Sequence, residues 1–381
     1  MTKPEVIRGN LSDQVLGNKA VPNEDRWKSR GYALRLVGAL ACAMLGFVGT
    51  CCLLRLLIPA PINLYAEIRS EKIALAMQWA GIVSVAAFGS SHVDCGFDPR
   101  SFDGAILPVV GHPISLNLGI AGGSQVEQTA VAREYQRMVA TSPAARHAHI
   151  LLMEANSGVN FTGQFITHPR SINIYDADAL RLALQFSDPK LGQVRAIGRS
   201  LVAIGASVLH FMNVGMLSGQ IFRPPLNAAL VRTQTAADRR GLSPPPPSPI
   251  DVKDTRDIYA LMATLTSKPR SSPALITSGL CSEATSLIRD REGEARYAVI
   301  FFVTPKLTDL QSYQTYPNAI ACGGHAVPII NVALPEAYPE LYDPKLWHDI
   351  SHLNESGAAV FSRLLANAVK RTVDDTLLAS L

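Results

Sequence analysis

Two short stretches, far apart in the chain, carry side chains that could act together on a carbonyl. Phe88-Gly89-Ser90-Ser91-His92 puts serines behind a glycine at the end of an apolar run, and Asp349-Ile350-Ser351-His352 sets Asp and His three residues apart just before the last predicted helix. A serine hydroxyl is a weak nucleophile until a base takes its proton, and the base works best when a third group fixes its tautomer. These residue types assign Ser91 as nucleophile, His352 as base and Asp349 as the group that orients the base. The tetrahedral intermediate also needs donors aimed at its oxyanion. The Ser91 N–H, the Gly122 N–H and the Asn156 side chain, each expected just after a strand end, are the candidates for that role. No metal and no cofactor is expected for this chemistry.

The remaining histidines are read differently. His92, next to the nucleophile, is expected to make a structural or substrate-side contact, because neighbouring side chains in such a turn diverge. His147 and His149 flank a strand start and are expected to face solvent or a core edge, and His325, after Gly323-Gly324, is a loop residue with no partner in the pattern. A rival reading takes His348-Asp349-Ile350-Ser351-His352 as a zinc motif with Asp in place of Glu. That reading needs both histidines on one face of a continuing helix, and Asn354 and Gly357 interrupt within a turn or two.

For Ser91 to meet His352, the elements between them must return to one edge of a sheet. Ile82 to Phe88 is a β-branched run of the kind found in buried parallel strands. Further strands are expected near 114–118, 149–154, 297–303 and 327–332, with helices over Gln125–Val139 and from about Glu355 to Leu378, the last capped by Asn354. Strand, loop and helix in repetition predict an α/β domain with a parallel sheet of about five strands. In such a sheet the loops after strand C-termini converge, which brings Ser91 to Asp349 and His352. The stretch 161–295 breaks the pattern with a polar segment, an apolar amphipathic segment near Val194–Leu217 and a linker Pro244–Pro249. It is read as an insertion dividing the domain into 59–160 and 296–381.

Leu36 to Leu54 is a run of nineteen uncharged residues between Arg35 and Arg55, about 28 Å as a helix and close to one hydrocarbon thickness. A single transmembrane anchor is therefore expected within 31–58, behind a non-helical tail at 1–30. The run is longer than the h-region of a cleaved signal peptide. Lys19, Arg26, Lys28, Arg30 and Arg35 precede it, against Arg55, Arg69 and Lys72 after it. That bias puts the N-terminus in the cytoplasm and the domain outside. Of six cysteines, Cys42, Cys51 and Cys52 lie in the apolar run, and the scatter of Cys95, Cys281 and Cys322 fits no paired zinc motif. Outside the cytoplasm Cys281 and Cys322 could pair, leaving Cys95 free. With Lys+Arg 35 against Asp+Glu 31 and no basic run interleaved with aromatics, nucleic-acid binding is not expected.

The order of these motifs resembles the SGNH (GDSL-like) hydrolase superfamily, whose blocks centre on Ser, Gly, Asn and His. Gly89-Ser90-Ser91 matches the first block, with Ser90 where simple esterases have Asp. Asn117-Leu118-Gly119-Ile120-Ala121-Gly122 matches the second, and Asp349-Ile350-Ser351-His352-Leu353-Asn354-Glu355-Ser356-Gly357 the last. The third departs: the family has Gly-x-Asn-Asp, and this chain has Glu154-Ala155-Asn156-Ser157, with Asn160 as the alternative to Asn156. The resemblance implies a three-layer α/β sandwich. With the anchor and the large insertion, it extends to membrane-anchored proteins of cell-envelope acylation, of the alginate O-acetylation and teichoic-acid D-alanylation types. It implies an acyltransferase or esterase at the inner membrane, facing the periplasm or cell exterior. The implied substrate is a polysaccharide or acylated glycan, and the implied partner is an integral-membrane acyl-donor protein. The alternative is a catalytically impaired glycan-binding or scaffold protein of such a system.

Overall fold

In a computed structural model of the chain, the residues described are 23–58, 64–106, 114–141, 148–155, 180, 193–212, 239–243, 245, 252–265, 277–289, 296–307 and 316–373. The chain divides into two units, Met1–Leu56 and Leu57–Leu381. Helix α1 (Asn23–Leu57) accounts for the first. Its segment Gly31–Leu57, 27 residues, is about 40 Å long, with Leu45, Phe47 and other large apolar side chains exposed along it. Length and composition suffice to cross a bilayer, as a single-pass anchor or a signal sequence does. The helix starts at Asn23, inside the stretch 1–30 expected to be non-helical. Asn23, Glu24 and Asp25 favour a helix N-terminus, and the apolar run behind them has already met the cost of nucleation.

The second unit is α/β, built on one sheet of six strands: β1 (Val85–Phe88), β2 (Ser115–Asn117), β3 (Ala148–Glu154), β4 (Arg296–Val303), β5 (Ala319–Cys322) and β6 (His325–Asn331). Their order is β2-β1-β3-β4-β6-β5, parallel except for β5, which runs antiparallel to β6. The five expected strands all form. The sixth, β5, was not expected: it has four residues, two of them exposed. Its signal was Gly323-Gly324, whose φ values of 59° and 92° suit the two-residue turn of a right-twisted hairpin.

Side-chain alternation sends the central strands into two cores. Ala86, Phe88, Leu151, Met153, Val299 and Phe301 face one side, packed with α2 (Leu64–Trp79), α5 (Gln125–Ala140) and α7 (Thr277–Arg289). Val85, Ala87, Ile150, Leu152, Ile300 and Phe302 face the other. There they meet α3 (Ser91–Gly96), α4 (Pro99–Ile106), α6 (Val252–Leu265) and α8 (Glu355–Thr372).

Residues from the stretch read as an insertion thus take part in the core. Leu280, Ala284 and Leu287 of α7 are buried on one face, and Ile258 and Leu265 of α6 on the other. Residues 239–243 lie along the edge strand, where the Asn117 N–H donates to Arg240 O at 2.9 Å. Apart from Pro245, the proline linker lies outside the described residues. A disulfide joins Cys281 on α7 to Cys322 on β5, with Cα atoms 4.9 Å apart, and Cys95 is a free cysteine, as the sequence suggested.

Candidate active site

β1 has β2 on one side and β3 on the other, so the connections leave it in opposite directions and open a crevice at the carboxyl ends. The turn after β1 lies at that point. Gly89 has no room for a side chain: a Cβ would meet Val93 Cγ2 at 2.3 Å and Glu154 Oε2 at 2.7 Å. Ser90 caps α3, and Ser91 is its first residue, half-buried. The Ser90 N–H is held by Glu154 Oε2 at 2.6 Å. The Ser91 N–H has no partner among the described residues.

The histidine arrives on a loop pinned at both ends. Trp347, fully buried, donates from its indole to Leu341 O at 2.9 Å and pairs with Leu353 across the loop. The Asn354 side chain accepts the Gly357 N–H at 3.0 Å and starts α8. Leu307, after β4, donates its N–H to Ile350 O at 3.1 Å and ties the loop to the sheet edge. Between these anchors 348–352 is a bend and not a helix, so His348 and His352 do not share a helical face as the zinc reading required.

Ser91, His352 and Asp349 come together. His352 Nε2 lies 2.9 Å from Ser91 Oγ, and Nδ1 lies 2.9 and 3.1 Å from the two oxygens of Asp349. Asp349 Oδ1 also accepts the N–H groups of Ser351 at 2.6 Å and His352 at 2.8 Å. Burial works against the charge on Asp349. The bond to His352, its charge and the two backbone donors outweigh burial and hold the carboxyl down to about 2. An ionised Asp349 accepts a hydrogen bond from Nδ1–H and so keeps the ring proton on Nδ1, which leaves Nε2 free to accept from the Ser91 hydroxyl.

The proposed oxyanion groups are placed in part. The loop carrying Gly122 lies against the nucleophile turn: Leu118 donates to Ala87 O and Ile120 to Gly89 O, both at 2.8 Å. Gly122 is exposed, with φ 65°, and its N–H has no partner among the described residues. Asn156 and Asn160 lie outside the described residues.

Two features escaped the sequence reading, the buried Glu154 and the buried Lys72. Glu154 is fully buried, and besides Ser90 it accepts the Thr304 hydroxyl at 2.7 Å. Burial opposes its charge, but His92, Lys306 and these bonds together bring its carboxyl below the ordinary value. Its signal was a lone acid closing an otherwise apolar strand. His92 does have a structural contact, as expected: its ring stacks on His352 with centroids 5.1 Å apart, and its Nδ1 lies 2.8 Å from Ser90 Oγ. Burial, more than any neighbouring charge, pushes it down to about 3. Beneath the turn, Lys72 Nζ bonds Asp94 Oδ1 at 2.7 Å, Gly241 O at 2.5 Å and Asn117 O at 3.3 Å. This buried ion pair couples α2, α3 and residues 239–243. Cys95 in α3 is not a rival nucleophile, since burial pushes its thiol well above the ordinary range.

No protein-family model, curated protein or solved structure matches the chain.

Proposed function

We propose that the domain is a serine acyltransferase or esterase of SGNH-like, three-layer type, acting through an acyl-enzyme on Ser91. The observation that carries this reading is the continuous relay from Ser91 Oγ through both nitrogens of His352 to Asp349, each step at 2.9 Å. Ser91 Oγ attacks the acyl carbonyl, its proton passes to His352 Nε2, and the imidazolium returns that proton to the departing alkoxide. Asp349 holds the tautomer and stabilises the imidazolium. The N–H groups of Ser91 and Gly122, without a partner among the described residues, supply the oxyanion donors, together with Asn156. Water or a sugar hydroxyl, activated by the same His352, then resolves the ester.

The substrate proposed is an O-acylated envelope or secreted polysaccharide, with an integral-membrane protein as acyl donor. Two observations support an extracytoplasmic domain held by α1 in the inner membrane: an apolar helix long enough to span and the Cys281–Cys322 disulfide, a bond that persists in oxidising compartments.

A serine-directed fluorophosphonate tests the reading. It labels the folded wild-type protein, and Ser91→Ala abolishes the label while His352→Ala slows it by orders of magnitude. Absence of label on folded wild-type protein favours the scaffold alternative, and full labelling of Ser91→Ala rejects the mechanism.

A further inference from the structure

Asp349 and His352 ride on one loop, so the bond between them orients the imidazole relative to that loop. The serine sits on a different element, at the start of α3. A second contact spans the gap between the two. His92, the residue after the nucleophile, lays its ring on that of His352, with centroids 5.1 Å apart and planes 13° apart. The His92 side chain is 15% exposed and that of His352 27%. His92 thus covers one face of a base that its own loop leaves partly open.

The covering ring is itself held from the sheet. His92 Nδ1 lies 2.8 Å from Ser90 Oγ and 3.7 Å from Glu154 Oε1. Glu154, fully buried at the end of β3, accepts the Ser90 N–H on Oε2 at 2.6 Å and the Thr304 hydroxyl on Oε1 at 2.7 Å. A continuous path of contacts therefore runs from β3 through Ser90 and His92 to the base. His92 Nε2, by contrast, is buried and has no partner among the described residues. A buried nitrogen without a hydrogen bond costs free energy that an apolar ring in the same place would not. What the ring supplies at that cost is its flat face against His352. A bond at the edge of an imidazole, such as the one from Asp349, resists tilting of the ring out of its plane least, and a ring lying parallel to it resists that motion most.

We infer that His92 is a positioning residue for the base: its ring, fixed by Ser90 and Glu154, holds His352 at the tilt that keeps Nε2 on Ser91 Oγ. The inference rests on the acyl-enzyme reading of Ser91.

The test separates the ring from its hydrogen bond in the detergent-solubilised full chain. Two quantities are read: the maximal rate of fluorophosphonate labelling, and the probe concentration that gives half of it. His92→Ala removes ring and bond and lowers the maximal rate by up to about 10²-fold, the cost of a base misplaced by about 1 Å, with the half-saturating concentration unchanged. His92→Asn keeps a polar atom near the place of Nδ1 for Ser90 but no ring, and falls as far as His92→Ala. His92→Phe keeps a flat ring with no nitrogen to bury, and its maximal rate returns to within a few-fold of wild type. The melting temperature reports whether each variant is folded, and if His92→Phe is not, the comparison of His92→Asn with wild type decides. A wild-type maximal rate in folded His92→Ala or His92→Asn overturns the inference, as does a folded His92→Phe no faster than His92→Ala. A raised half-saturating concentration at an unchanged maximal rate marks a substrate contact and overturns it too. In each of these cases labelling of the wild-type protein at Ser91 leaves the acyl-enzyme reading standing, whereas no label on folded wild-type protein overturns both.

Discussion

Replacing Asp349 with Asn keeps the shape of the side chain and changes what faces the imidazole. In the native site Oδ1 accepts two backbone N–H groups at 2.6 and 2.8 Å, and Oδ2 meets Nδ1 at 2.9 Å. An amide must keep its oxygen on the two backbone donors, because its NH2 group there would oppose both. The NH2 therefore turns toward Nδ1. The ring responds by carrying its proton on Nε2, and that nitrogen then presents a donor to Ser91 Oγ and cannot take its proton. Two effects add. The lost charge is measured by a carboxyl held at about 2 against an ordinary 3.8, roughly 2.4 kcal/mol at face value. The side chain is 34% exposed, and solvent screening cuts this to about 1 kcal/mol, or roughly fivefold. The wrong tautomer is worth far more, about 10⁴-fold in a well-characterised triad. The tautomer dominates, and the expected fall in the fluorophosphonate labelling rate at pH 7 is about 10⁴-fold. Circular dichroism serves as the check on folding. A fall of tenfold or less in a folded Asp349→Asn protein refutes the tautomer argument, because charge loss alone accounts for it.

Other perturbations test the scaffold through the melting temperature of the detergent-solubilised chain. Lys72→Met leaves Asp94 buried without its ammonium partner and costs about 3–5 kcal/mol, which Lys72→Met/Asp94→Asn partly restores; an unchanged melt contradicts the ion-pair account. Cys322→Ser opens a disulfide spanning 41 residues and costs about 4 kcal/mol. Wild-type protein treated with reductant shows a matching drop, and six reactive thiols before reduction rule the bond out. Burial lifts Glu283 to about 7, despite bonds from Thr129, Gln125 and Gln128 and the charge of Arg133. Its folded pKa exceeds the unfolded 4.5, so its contribution is fully present below pH 4.5 and is lost as pH rises through 7, by up to about 3 kcal/mol. Glu283→Gln flattens the change in melting temperature between pH 5 and pH 8, and an unaltered slope rejects the assignment.

The elements were legible where local physics decides them. The β-branched run before Gly89 could only become a buried strand, Asn354 ahead of an amphipathic run could only start a helix, and the uncharged Leu36–Leu54 could only be a long apolar helix. The pairing of Ser91 with His352 was also anticipated, because parallel α/β topology returns strand ends to one edge whatever lies between them. The short strand β5 was not, since four residues with two exposed carry little hydrophobic pattern, and its Gly-Gly turn was the sole clue.

Other features exist only through contacts between distant segments. Glu154 closes an apolar strand, and nothing local says that its carboxylate will hold the Ser90 N–H and Thr304. Lys72 sits in a charged, helical stretch that reads as surface, yet it is buried because Asp94 and the carbonyls of Asn117 and Gly241 converge on it. The residue types and their order along the chain set out a nucleophile, a base and an orienting acid. The tertiary structure alone brought His352 within 2.9 Å of Ser91 and surrounded the pair with buried polar groups, since burial, charge pairing and hydrogen-bond direction depend on what the rest of the chain brings to each atom.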